Sequence, residues 1–141
     1  MTAEHLRAAI EQAAGSPVRP LTTPERTAEG APADFPTLGG AREQEWWAQQ
    51  ASWGLMQVMG AVAREHGFRE PFLPQLTDIN TGLHYGCKHL AAQLARTRGD
   101  VDKALESYNG GFGSIGSAVT QAYVVKVRAH LRGIQGAARR A

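Results

Sequence analysis

Apolar residues recur at helical spacing through most of this chain, and each stretch is closed by glycine, proline or a capping side chain. That pattern predicts a mainly α-helical fold rather than a sheet. Leu6, Ala9, Ile10 and Ala13 mark a first helix over residues 3–14, stopped by Gly15-Ser-Pro17. Residues 42–50 predict a short helix carrying Trp46 and Trp47. Residues 54–66 predict the next, with Leu55, Val58, Met59 and Val62 on one face and Gly67 as its stop. Asp78 is an N-cap for a long helix with Ile79, Leu83, Leu90, Leu94 and neighbouring small residues inward, ending before Gly99. Asp100 caps a shorter helix containing Val101, Ala104, Leu105 and Tyr108. Residues 109–116 read as loop, because four glycines there would cost a helix several kcal/mol. A last helix runs from Ser117 to about Gln135, with Val119, Tyr123, Val124, Val127 and Leu131 closing the fold.

Residues 15–40 break the pattern. Pro17, Pro20, Pro24, Pro32 and Pro36 make this a long irregular loop, with room for a small hairpin after the first helix. The 141 residues suit one compact domain over 1–141 with a basic end at 126–141. Hydrophobic content of 43% and charged content of 20% exclude wholesale disorder. No apolar run approaches the roughly 18 residues that cross a bilayer. The start, MTAEHLRAAIEQAAG, lacks a basic region followed by an apolar one, so no signal peptide is expected. Cys87 is the single cysteine and excludes an intrachain disulfide. Between Lys126 and Arg140 five cations stand without an acid. They suit either an anionic surface or the C-terminal dipole of a solvated helix.

His84, Cys87 and His89 form H-x-x-C-x-H on the long helix. His84 and Cys87 share a face, but His89 lies about 140° around from His84. A zinc site needs three or four converging ligands, so no metal or other cofactor is expected and Cys87 reads as a small core residue. Gly110-Gly-Phe-Gly113 follows a helix and lacks the Lys-Ser/Thr pair of a phosphate loop. Gln57 falls in the apolar run Ser52-Trp-Gly-Leu-Met-Gln-Val-Met59, and Tyr108-Asn109 ends a helix before glycines. An amide in an apolar setting is either a structural clamp or a ligand contact.

The ordered set S-W-G-L-M-Q-V-M (Ser52 to Met59), the D-x-x-x-G-L-x-Y-G motif beginning at Asp78 with the stretch Asn80 to Leu90, A-L-E-S-Y-N-G-G (Ala104 to Gly111) and Y-V-x-K-V (Tyr123 to Val127) resembles the soluble lytic transglycosylases, which implies a lysozyme-like α+β fold. These are the goose-type-lysozyme-like enzymes that cleave peptidoglycan, and phage endolysin versions are the most similar. The resemblance runs from about Leu6 to Val127. It implies cleavage of the β-1,4 bond between N-acetylmuramic acid and N-acetylglucosamine, with one glutamic acid as proton donor and then base. The muramic acid's own C6 hydroxyl closes a 1,6-anhydro ring, so no second carboxylate need activate water.

The chain departs from that family at the acid. Aligning Ala9-Ile10 with the family's A-I-x-x-x-E-S motif places Ala14 where the catalytic glutamate belongs, which makes the chain an inactive Glu→Ala variant, by engineering or natural loss. Glu11, Glu25, Glu43, Glu45 and Glu106 are the substitutes to weigh. The resemblance also implies substrate contacts for Ser52, Met56, Gln57, Tyr108, Asn109 and Tyr123, with the methyl of Ala14 facing a hollow near Gln57, Asn109 and Tyr123. Trp46, Trp47 and Trp53 are candidates to stack on sugar rings, with at least one in the core. The expected partners are peptidoglycan strands and an anionic envelope touched by the basic end, with no nucleic acid and a monomeric state. The expected route is from a host cytoplasm to the wall through a holin-type lesion, or delivery in a virion. Two alternatives keep the fold: a non-catalytic peptidoglycan-binding protein, or a muramidase giving a hydrolysed product.

Overall fold

The computed structural model of the chain describes residues 18–140. The expected first helix, and Ala14 with it, lies outside them. Among the described residues six α-helices dominate and strand is confined to one two-residue pair. The helices are α1 (Thr23–Arg26), α2 (Arg42–Gln50), α3 (Gly60–Glu65), α4 (Ile79–Arg96), α5 (Val101–Gly110) and α6 (Ala118–Ala138). Strands β1 (Ser52–Trp53) and β2 (Val58–Met59) pair antiparallel, Ser52 opposite Met59 and Trp53 opposite Val58. The 3-10 turns Leu73–Thr77 and Phe112–Ser114 precede α4 and α6. The mainly helical expectation holds, with Arg42–Gln50 matching its expected bounds.

The described residues fall into two compact units, 18–87 and 88–140, and α4 runs through the division. In the first unit the core joins Val58, Ala63, Phe68, Leu73 and Leu76. A second cluster joins Leu21, Phe35, Trp46 and Ala61. The hairpin sits at residues 52–59, not in 15–40, and so displaces the first half of the helix expected over 54–66. Gly54 takes a left-handed φ of 70°, and a Cβ there would lie 2.3 Å from the Leu76 carbonyl oxygen. Gln57, at φ 51°, closes the turn. Its backbone N–H and its Nε2 both donate to the Gly54 carbonyl, at 3.1 and 2.8 Å. The apolar spacing of Leu55, Val58, Met59 and Val62 mimics a helix, but the positive φ values at Gly54 and Gln57 break it. The helix restarts at Gly60, whose missing side chain lets α3 pack on α2: a Cβ would lie 2.3 Å from the Ala48 carbonyl.

The caps behave as expected. Asp78 Oδ1 accepts the Thr81 N–H at 2.9 Å, Asp100 Oδ1 accepts that of Lys103 at 3.0 Å, and the Ser117 hydroxyl accepts that of Thr120 at 3.2 Å. Those backbone donors, Thr81 N–H and Lys103 N–H, hold the two aspartates below the ordinary carboxylate range. On α4 the expected small residues do face inward, and the correction concerns Ile79 and Leu83. Ile79 and Leu83 are exposed, whereas Gly82 and Gly86 are buried. The face that packs is one of small residues: a Cβ on Gly82 would strike the Leu76 carbonyl, and one on Gly86 would lie 2.4 Å from Met56 Cβ. Cys87 is exposed and not a core residue.

In the second unit α5 packs on α6. Ala104, Thr120 and Val124 are buried, while Val101, Val119 and Leu131 are exposed. Asn109 and Gly110 belong to the last turn of α5, and the loop begins at Gly111 with φ 82°. Glu106 holds that loop. Its Oε2 accepts the Gly116 N–H at 2.6 Å and the Thr120 hydroxyl at 2.8 Å.

Candidate functional site

In the first unit, Ser52, Met56 and Gln57 lie on one short hairpin. Ser52 and Gln57 are exposed and Met56 is half-buried. Gln57 therefore sits at the tip of a turn, not within an apolar helical run. Its Nε2 is spent on Gly54, and among the described residues nothing donates to its Oε1. The amide is a turn clamp and presents one open acceptor to solvent. Met56 rests on the bare face of α4 at Gly86.

In the second unit, Asn109 and Tyr123 share a recess of about 460 Å³, floored by Ala118, Val119 and Ala122 and edged by Lys126. Tyr123 is half-buried and Asn109 exposed. Neither side chain has a hydrogen-bond partner among the described residues, so a phenol and an amide stand ready for a ligand. Tyr108 points elsewhere in its packing: its ring lies 5.0 Å from that of His89, tilted at 46°. His89 is thus engaged with Tyr108, and among the described residues no three His, Cys, Asp or Glu side chains gather around a metal position.

The tryptophans divide. Trp46 is core, 1% exposed, with its Nε1 donating to the Glu25 carbonyl at 3.2 Å. Trp53 is half-buried and donates to the Ala48 carbonyl at 2.8 Å. Trp47 is exposed, and with Trp53, Phe72 and Pro71 it lines an apolar groove of about 680 Å³. Only Trp47 and Trp53 are placed to meet a sugar face there.

Of the glutamates weighed as substitutes, Glu25, Glu43, Glu45 and Glu106 are described, and each is engaged by other groups. Arg19 grips Glu25 with both guanidinium NH2 groups, one at 2.8 Å, and Thr22 adds its N–H and hydroxyl. The Arg19 hydrogen bonds lead in lowering the Glu25 carboxyl to about 2, so it carries no proton near neutral pH. Glu45 is buried and fully engaged. It accepts from Arg64 at 2.8 and 2.9 Å and from Gln49 Nε2 at 2.9 Å. Glu43 is exposed and accepts the Ala31 N–H at 3.1 Å. Glu106 is the loop clamp already described. Glu11, like Ala14, lies outside the described residues.

The Arg64 network escaped the sequence reading. Arg64 is 1% exposed, and its remaining NH1 group donates to the Phe68 and Glu70 carbonyls at 3.0 and 2.8 Å. An arginine on the apolar stretch before Gly67, with a glutamate on the preceding helix, was the available signal.

Residues 40–130 match the family model described as Transglycosylase SLT domain. The match takes in the stretches from Ser52, Asn80, Ala104 and Tyr123, and it begins well after Leu6 and Ala14. No solved structure matches the chain.

Proposed function

Since the chain belongs to the Transglycosylase SLT domain family, we propose that it is a peptidoglycan lytic transglycosylase, of phage or prophage endolysin type, carried here as an inactive variant at Ala14. The reaction breaks the β-1,4 bond between N-acetylmuramic acid and N-acetylglucosamine. A carboxylic acid at position 14 gives its proton to the leaving oxygen. The resulting carboxylate then takes the proton of the muramic acid C6 hydroxyl as that oxygen bonds to C1, leaving a 1,6-anhydro ring. Alanine can do neither step.

The observation that carries this reading is the recess in which Tyr123 and Asn109, both within the matched residues, keep their polar ends unengaged. An amide and a phenol are suited to an N-acetyl group and to sugar hydroxyls. In the first unit the open Oε1 of Gln57, the Met56 backbone and Ser52 are further glycan contacts in this reading, as is Tyr108 in the second. The chain acts as a monomer and a single domain over 1–141. It reaches the wall through a holin-type lesion or in a virion, its basic end meeting the anionic envelope.

The test is digestion of purified peptidoglycan by the chain and by its Ala14→Glu variant, read by mass spectrometry of released muropeptides. The chain as it stands is expected to release none, and Ala14→Glu to release 1,6-anhydro products. Products heavier by one water would instead make it a muramidase. Glu25, Glu43, Glu45 and Glu106 are all engaged, which favours one second reading: a peptidoglycan-binding protein without catalysis. No product from Ala14→Glu, together with retention of the chain on insoluble peptidoglycan, would establish that reading.

A further inference from the structure

The distal half of α6 stands out from the second unit. From residue 129 to 140 every residue is exposed except the half-buried Gly136. The family match stops at residue 130, whereas α6 continues to Ala138. Val124, Val127, Leu131, Ile134 and Ala138 follow one another at three- and four-residue steps, within an arc of roughly 80°. This ridge is buried at Val124 and emerges to 44% exposure at Leu131 and 68% at Ile134. Arg128, Arg132 and Arg139 form a second line beside it, within roughly 40° of arc. Arg128 is paired with Asp102 at 2.6 Å, while Arg132, Arg139 and Arg140 make no ion pair among the described residues.

We propose that this segment of α6 docks along an anionic bilayer surface, its apolar ridge at the acyl boundary and its arginines on lipid phosphates. The adjacency of the two lines decides the occupant. A helix lying in a membrane interface needs an apolar face flanked by cations, and arginine reaches phosphate from beside such a face. A second copy of the helix would set arginines against arginines with no acid between Lys126 and Arg140 to relieve them. A nucleic acid or wall polymer would use the cations but leave Leu131 and Ile134 in water. Among the described residues no helix is long and apolar enough to cross a membrane, so the geometry is that of a surface helix. Gly133 and Gly136 weaken the free segment, and docking would restore what they cost. This inference is independent of the glycan-cleavage reading.

The experiment is co-sedimentation of the whole chain with vesicles of phosphatidylglycerol and phosphatidylcholine, against phosphatidylcholine alone. Two variants accompany it, Leu131→Ser/Ile134→Ser and Arg132→Gln/Arg139→Gln. All four residues are exposed, so circular dichroism should show the fold intact. Binding is expected only with the anionic lipid and should weaken with salt. Each arginine at such a surface is worth roughly fivefold in partition, so the arginine pair should cost roughly 25-fold. The serine pair, which leaves charge unchanged, should cost at least about tenfold. Equal binding to both vesicles, or none to either, overturns the proposal. So does undiminished binding of the serine pair, which would mean charge alone. So would a dimer in sedimentation velocity that the serine pair abolishes.

Discussion

Arg64→Met tests the account of the first unit most directly. Among the described residues the guanidinium is the single cation hydrogen-bonded to Glu45, and it also donates to the Phe68 and Glu70 carbonyls while lying 5.2 Å over the Phe68 ring. Methionine fills much of the same volume but leaves the buried carboxylate with the Gln49 amide as its one described donor, the Glu70 carbonyl without its donor, and the Phe68 carbonyl with Arg69 alone. Removing one partner of a buried pair typically costs about 3–5 kcal/mol, a large share of the roughly 5–15 kcal/mol that holds a domain folded. All three tryptophans lie at 46–53, so tryptophan fluorescence during urea unfolding reports this unit. Glu45→Met should also be costly, since it strands Arg64. The double variant removes both charges and should cost at least about 1–2 kcal/mol less than the two singles added. An Arg64→Met loss below about 1 kcal/mol, or strict additivity in the double, would refute the claim that this pair is buried and mutually dependent.

Glu25→Gln should flatten the acid limb of the stability curve. The folded carboxyl titrates at about 2, below its unfolded value, so its contribution is full above about pH 4.5 and is lost as pH falls toward 2. Arg19 is 41% exposed, so the loss at neutral pH should be only about 1 kcal/mol, measured by denaturant titration across pH. Two glycines should respond oppositely to alanine in thermal melts. Gly54→Ala meets the Leu76 carbonyl at a positive φ and should cost about 3 kcal/mol or more. Gly133→Ala has nothing within 4 Å and a helical setting, so it should gain about 0.5–1 kcal/mol. In the Ala14→Glu background, Tyr123→Phe should lower kcat on peptidoglycan about tenfold while moving stability by less than about 0.5 kcal/mol. A stability loss with unchanged kcat would make that hydroxyl structural.

The helices were legible because their boundaries are written locally. Asp78, Asp100 and Ser117 each supply the oxygen that accepts the N–H three residues on, and short-range rules find such caps. The hairpin at 52–59 was not legible, since its cause is distant. Gly54 must clear the carbonyl of Leu76, and nothing within the run Leu55 to Val62 announces that contact. On α4 the small residues were read as inward, but Ile79 and Leu83 were misplaced for the same reason. Periodicity picks large apolar residues, whereas Gly82 and Gly86 are buried because other backbone and Met56 come too close for a side chain. At the candidate site the surroundings of the expected residues were not legible. That Tyr123 and Asn109 share a recess depends on how α5 and α6 pack, and that the Tyr108 ring lies tilted against His89 depends on α4.

These contacts also explain why the family's sequence marks persist in this chain. The segment Gly54-Leu-Met-Gln57 and the pair Gly82 and Gly86 are two halves of one packing arrangement. Gly54 and Gly82 both yield to the Leu76 carbonyl, Gly86 yields to Met56, and Gln57 ties the turn back to Gly54. Each residue there is required by its neighbours whether or not a sugar is bound. The cost of losing any of them falls on stability, at several kcal/mol for a backbone clash. A catalytic glutamate is under the opposite constraint: a proton donor kept neutral in an apolar setting lends little to the fold. Loss of an acid, as proposed at Ala14, would therefore leave the framework over 40–130 free to persist. Matching that framework identifies the family through its packing.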